Sequence, residues 1–234
     1  MDSHKKSEYV VKLKVGETMD DSANLRELMA AFIAMEMDIP VIEPAAVEIS
    51  TEFVNTVDDI TVKQRLQDSI GLNFGSTYIP DYPTISLASL PEKLIHFAQE
   101  IFAFDVLIQN LDRTKRKPNM LTNGEEIVAL DHEKAFGFSF ASFIPVPFNI
   151  WEMNNDQKKW IYSHILYPYI KGKKFDFNEF TKKMLKLNDP FWSKAYQLIP
   201  DTWKTQQYDT IKDRLISFIN NRNQFIKELK ISMS

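Results

Sequence analysis

Between residues 9 and 15 the chain alternates, with Tyr9, Val11, Leu13 and Val15 on one side and Lys12 and Lys14 on the other. A period of two predicts a strand with one covered face. After Asp20-Asp21-Ser22, whose side chains suit a helix start, the period changes: Leu25, Leu28, Met29 and Phe32 recur at helical spacing. Pro40 and Pro44 end this helix and frame a second extended run over residues 41–49. Residues 50–70 are compatible with helix or loop. The stretch NFGSTY, residues 73–78, predicts a short strand with a close backbone approach at Gly75, and residues 80–89 read as a loop and linker.

Past that linker, Ser89 and Glu92 have capping-box spacing, and Leu94, Phe97, Ala98, Ile101, Phe104 and Ile108 form the stripe of a helix ending near Asn110. Asn123-Gly124 predicts a two-residue hairpin turn of type I′, which needs positive φ at both central residues. Thr122 then faces Glu125 and Asn119 faces Val128, which leaves Asp131 three residues beyond that pair, about 10 Å along the strand. From Trp151 onward the chain reads as helical. Trp151, Trp160, Tyr167, Phe175, Phe177, Phe180, Trp192 and Trp203 lack basic interleaving and are assigned to the core rather than to stacking platforms. Asp176 or Asn178 caps one helix, Pro190 and Pro200 punctuate the next two, and a last helix is expected over residues 207–230. No repeat appears. The pattern predicts an α+β fold divided into residues 1–80, strands plus a helix, and residues 81–234, mainly helical.

A chain of 234 residues can bury a sizeable core in one domain or in two lobes sharing a cleft. A net charge of −4 without a face-wide basic run argues against nucleic acid as partner. Zero cysteines exclude a disulfide framework, a thiolate nucleophile and a zinc–thiolate site. No apolar run reaches about 18 residues and the opening residues are polar, so the expected location is the cytoplasm, away from membranes.

The chemistry concentrates between Asp105 and Phe136, where Asp112, Asn119 and Asp131 surround one hairpin. The basic loop of residues 114–118 is Pro-limited and can fold back toward them. Oxygen-bearing side chains beside a cationic loop suit a metal-bound polyphosphate, with a separate carboxylate to orient an attacking hydroxyl. Lys12 and Lys14 read equally as solvated lysines or, for one of them, as a cation turned into a cleft toward phosphates. Glu27, on the following helix, is placed to fix such a lysine. Asp105 interrupts an apolar run and is expected to brace the loop ahead. His96 has no partner ligand at i+4 and is assigned to structure or solvent. His132 follows a strand-end aspartate, must point away from it, and reads as a brace. A metal-dependent hydrolase using Asp112, Asp131 and His132 lacks a further ligand cluster at metal spacing.

NLDRTKRKPNML followed by VALDHEKAF resembles the HipA-like kinase family, distant relatives of eukaryotic protein kinases and phosphoinositide kinases whose catalytic loops read N-x-D-R. The resemblance extends to YVVKLK, NLREL, FGSTY and IPDTW, nearly the whole chain. It implies a protein-kinase-like two-lobed fold: a small, truncated N-lobe sheet with a helix, and a larger helical C-lobe carrying a β-hairpin at the cleft. It also implies ATP and Mg²⁺, a Ser/Thr hydroxyl of a protein as acceptor, and a toxin-like or regulatory role with possible autophosphorylation. Carried onto this sequence, Asp112 orients or deprotonates the hydroxyl, Arg113 braces the loop, and Asn119 and Asp131 bind metal. Lys12 contacts the phosphates and Glu27 holds Lys12.

Two departures accompany it. Five residues after Asp112, where the family's metal-binding asparagine is expected, stands Lys117, and Asn119 follows two later, read here as a longer loop. The eight residues ahead of the lysine strand contain no glycine, although such folds place a glycine-rich phosphate-covering loop there. The alternative reading is therefore a pseudokinase or nucleotide-binding interaction module, to which a partner subunit or an upstream segment supplies that loop.

Overall fold

Asp20 caps the first helix, its carboxylate accepting from the Ala23 N–H at 2.6 Å, and α1 runs over Asp21–Glu36. In this computed structural model the described residues are 8–14, 19–86, 88, 90–110, 112–139, 153 and 155–234. Every residue of α1 from Ala23 to Ala31 is buried, polar Asn24, Arg26 and Glu27 included. The apolar stripe alone understates this, because α1 has neighbours on opposite sides. A sheet covers one side and C-terminal helices cover the other, so one apolar cluster extends from Met19 to Met233.

That sheet is antiparallel, with β3 (Gly71–Thr77) between β1 (Tyr9–Val11) and β2 (Pro44–Ile49). Gly75 pairs with Val11 on one side and Ala45 on the other. A Cβ there would lie 2.8 Å from Val47 Cγ2 and 3.4 Å from the Val10 carbonyl oxygen, so this is the close approach expected at Gly75. β1 stops earlier than its alternation predicts. Lys12 N–H still donates to Phe74 O at 2.9 Å, but Lys14 N–H turns to the Ser69 hydroxyl, also at 2.9 Å, and the ladder ends; Val15 lies outside the described residues. Residues 50–70 fold as two short helices, α2 (Thr51–Asn55) and α3 (Ile60–Gln67), capped by Ser50 and Asp59.

A 3₁₀ turn over Glu92–Leu94 leads into α4 (Ile95–Ile108); the expected cap Ser89 lies outside the described residues. Gln109 ends α4 in the left-handed region at φ 49°. The hairpin of β4 (Met120–Thr122) and β5 (Ile127–Ala129) corrects the expected register. Thr122 pairs with Ile127, not Glu125, so residues 123–126 form the loop. Gly124 has φ 88°, whereas Asn123 is absent from the positive-φ residues, which excludes type I′. Instead the Asn123 Oδ1 accepts the N–H groups of Glu125 and Glu126 at 2.9 and 3.1 Å, a local side-chain turn that outcompetes the tighter one. The shift by two keeps every side chain on its face. It brings Asn119 opposite Leu130, whose N–H donates to Asn119 O at 3.1 Å, so Asp131 is one residue past the pair rather than three.

The remaining described helices are α5 (Asn155–Ser163), α6 (Tyr167–Ile170), α7 (Phe177–Met184), α8 (Asp189–Leu198), α9 (Gln207–Asn220) and α10 (Arg222–Met233). Asp176 is the cap of α7, accepting from Asn178 and Glu179 N–H. Phe180, Trp192 and Trp203 are buried and Trp160, Tyr167, Phe175 and Phe177 pack against the core, as expected of them; Trp151 lies outside the described residues. The expected single last helix is two. Asn221, at φ −109° and ψ 26° in a run of poor helix formers (Asn220, Asn221, Asn223), breaks it, and its Nδ2 donates to Ser217 O. Among the described residues no helix is long and apolar enough to cross a membrane.

Candidate active site

The end of β1 delivers Lys12, the middle of α1 delivers Glu27, and the exit of β5 delivers Asp131. Lys12 Nζ is ion-paired with Glu27 Oε1, lies 2.6 Å from Asp131 Oδ1, and stands 3.7 Å from Glu133 Oε2. Lys14 instead points to Asp21, 3.8 Å away, so Lys12 is the lysine that turns inward. Glu27 is fully buried and its other oxygen accepts the His132 N–H at 2.8 Å. One carboxylate thus ties the strand lysine to the backbone just after Asp131.

Burial raises the Glu27 carboxyl to about 7, Lys12 opposes that shift and Asp131 adds to it. Burial works against the charged forms of Lys12 and Asp131 as well. For each, the opposite charge at hydrogen-bond distance outweighs it, so the Lys12 ammonium is held above its ordinary value and the Asp131 carboxyl below.

Asp131 and Asn119 both occupy the left-handed region, at φ 58° and 49°, which Asp and Asn adopt more readily than other non-glycine residues. Among the described residues the Asn119 side chain has no hydrogen-bond partner, and its Nδ2 is buried. Ligand oxygens of Glu27, Asp131 and Glu133 come within 4.8 Å of one another. Hard oxygen donors carrying more negative charge than Lys12 neutralises fit a divalent cation.

Asp112 is partly exposed, on the loop after α4, and its Oδ2 accepts from Lys117 Nζ at 3.1 Å. The loop doubles back as predicted: Thr114 N–H donates to both Asp112 O and Lys117 O at 3.0 Å. Lys117 also stands in the field of Asp131 and Glu133, which joins this loop electrostatically to the Lys12 group.

Beneath both lies Arg113, with no side-chain exposure. Its Nε and Nη2 engage the two oxygens of buried Asp105, a bidentate pair, while Nη1 reaches Asn119 O and, at 3.5 Å, Leu130 O. Nη2 also donates to His132 Nε2 at 3.1 Å, which fixes that ring as neutral with its proton on Nδ1. Burial first, then Arg113, pushes the His132 pKa down to about 3. Asp105 further accepts from Asn110 Nδ2 at 2.9 Å and from His164 Nε2 at 2.9 Å; His164 Nδ1 accepts from Leu166 N–H, so that ring is neutral too. Burial of Asp105 is outweighed by Arg113 and His164, which hold its carboxyl well below the usual range. Buried Arg113 thereby ties the end of α4, the Asp112 loop and the exit of β5 together. His96 is exposed, as expected.

Sequence reasoning missed His164, Glu133 and the contact of Lys117 with Asp112. Glu133, two residues past Asp131, had a signal in its spacing. His164 had none, being 59 residues from Asp105 with no motif between them.

No curated protein matches the chain. The profile of the HipA-like kinase family matches residues 2–229, nearly its entire length, and the residues that carry the earlier resemblance all fall inside that match. On that coverage, the chain belongs to the HipA-like kinase family, a family of kinase-type phosphotransferases.

Proposed function

We propose that this protein transfers the γ-phosphoryl group of ATP, with Mg²⁺, to a serine or threonine hydroxyl of a protein. The observation that carries the reading is the grouping of Lys12, Glu27 and Asp131, drawn from positions up to 119 residues apart onto one ammonium. Lys12 would bind the α- and β-phosphates and Glu27 would hold it there. Asn119 and Asp131 would hold the metal, which when bound neutralises charge on the phosphates. Asp112 would accept the proton of the attacking hydroxyl as its oxygen bonds to phosphorus and the bond to the β-phosphate oxygen breaks. Arg113 would keep Asp112, Asn119 and Asp131 in register by its clamp on the backbone.

The surroundings support this assignment. A small cavity of about 90 Å³ lined by Lys12, Glu27, Asp131 and His132 opens beside a cleft of about 460 Å³. The two share Val10, Ile42, Ser76 and Leu130. Apolar walls next to a charged end suit a base and its phosphates respectively. The cleft is bordered by Tyr78, Ile79, Asp81, Tyr82 and Pro83, where the linker of residues 80–89 begins.

One observation favours the second reading, a nucleotide-binding interaction module: both candidate acids, Asp112 and Asp131, are paired with lysines of the chain itself. Incubation with γ-labelled ATP separates the two readings. Label transferred to protein by the wild type and abolished in Asp112→Ala supports the kinase; no transfer to any protein, with ATP still bound, supports the module.

A further inference from the structure

The kinase reading leaves the acceptor unspecified, and the tip of the Asp112 loop bears on it. Lys115, Arg116 and Lys117 are consecutive and exposed in a chain of net charge −4. Lys117 is engaged with Asp112, whereas among the described residues no hydrogen bond or ion pair involves Lys115 or Arg116. The loop that carries them is pinned at its base by Thr114, whose N–H reaches Asp112 O and Lys117 O and whose hydroxyl accepts the Lys117 N–H at 3.3 Å. Two unneutralised cations are therefore presented from an ordered turn, three and four residues from Asp112 and within about 14 Å of it along the chain.

Resting on the kinase reading, we propose that Lys115 and Arg116 select an acceptor segment that carries acidic residues beside the phosphorylated serine or threonine. Carboxylates at that point are attracted by two charges whose pairing needs no rearrangement of this chain, and basic segments are repelled. Nucleic acid is the weaker candidate, because a patch of this size neutralises few phosphates and the net charge of the chain is −4.

The test is fluorescence anisotropy with three labelled serine peptides of equal length, flanked by glutamate, by alanine or by lysine, together with a single-stranded RNA of similar charge. Wild-type protein and the double variant Lys115→Glu/Arg116→Glu are compared at low and physiological salt. The proposal expects the glutamate peptide to bind at least about tenfold more tightly than the lysine peptide, with the difference shrinking as salt rises. In the double variant the order equalises or inverts. Equal binding of the three peptides, an order the double variant does not alter, or RNA binding that exceeds the glutamate peptide overturns it. Because the readout is peptide binding, it is independent of phosphoryl transfer. A wild type that binds the glutamate peptide through these residues but transfers label neither to it nor to any protein refutes the kinase reading and leaves the acidic specificity standing.

Discussion

Glu27 joins Lys12 to His132: one carboxylate oxygen is ion-paired with the Lys12 ammonium, and the other accepts the His132 backbone N–H at 2.8 Å. The position of the strand lysine and the backbone following Asp131 are therefore set by one buried side chain. Glu27→Gln keeps an acceptor for the His132 N–H but removes the charge that holds Lys12. ATP affinity is expected to fall about tenfold, the worth of one charge-assisted bond. Stability falls little, because the Glu27 carboxylate is itself burial-strained. Nucleotide titration and a thermal melt check the two halves; unchanged affinity contradicts the role of Glu27.

Arg113 and Lys117 are both cations on aspartates, one pair buried and the other exposed, and their removal should cost very different amounts. Arg113→Met strips the main partner from buried Asp105 and releases the carbonyls of Asn119 and Leu130, a loss of about 3–5 kcal/mol. Lys117→Ala removes an exposed pair, and the expected change is under about 1 kcal/mol. Urea denaturation midpoints for the two variants measure the contrast.

His132 makes stability depend on pH. Its folded pKa, about 3, lies below the ordinary 6.5, so below pH 6.5 the unfolded chain takes up a proton that the folded chain refuses. Its contribution is complete above pH 6.5 and declines as pH falls, by roughly 2 kcal/mol at pH 5. Glu27 acts with opposite sign in the same window, since its raised carboxyl protonates first in the folded state. Comparing wild type with His132→Gln cancels Glu27 and His164. The wild type should lose roughly 2 kcal/mol more than the variant between pH 7 and 5; parallel profiles contradict the assignment of a neutral ring.

Gly75→Ala tests the sheet beside the cleft. The added methyl meets Val47 Cγ2 at 2.8 Å, and a β-branched side chain on a neighbouring strand has little freedom to yield. A loss of about 1–3 kcal/mol is expected, with partial rescue by Val47→Ala. Thermal melts of the single and double variants measure both.

The sequence makes the local parts of this arrangement legible. Asp20 announces the cap of α1, the alternation around Lys12 gives a strand, and Asp112, Asn119 and Asp131 lie within one short stretch. Choosing Lys12 over Lys14 required tertiary structure, since the alternation puts both on the polar side of one expected strand and only the path of α1 places Glu27 near one of them. The hairpin misled because Asn-Gly favours type I′ whereas the Asn123 side chain captured two backbone N–H groups instead. The support beneath the loop was the least legible part. Arg113, Asp105, His132 and His164 interact across separations of up to 59 residues, and no periodicity encodes such a network.

The most direct measurement is a calorimetric titration of ATP with Mg²⁺ into wild type and Asp131→Asn. The account predicts one nucleotide site in the wild type that requires Mg²⁺ and is weakened at least about tenfold in the variant, where a charged metal ligand has become neutral. Absence of binding in the wild type, or equal binding in Asp131→Asn, would contradict it.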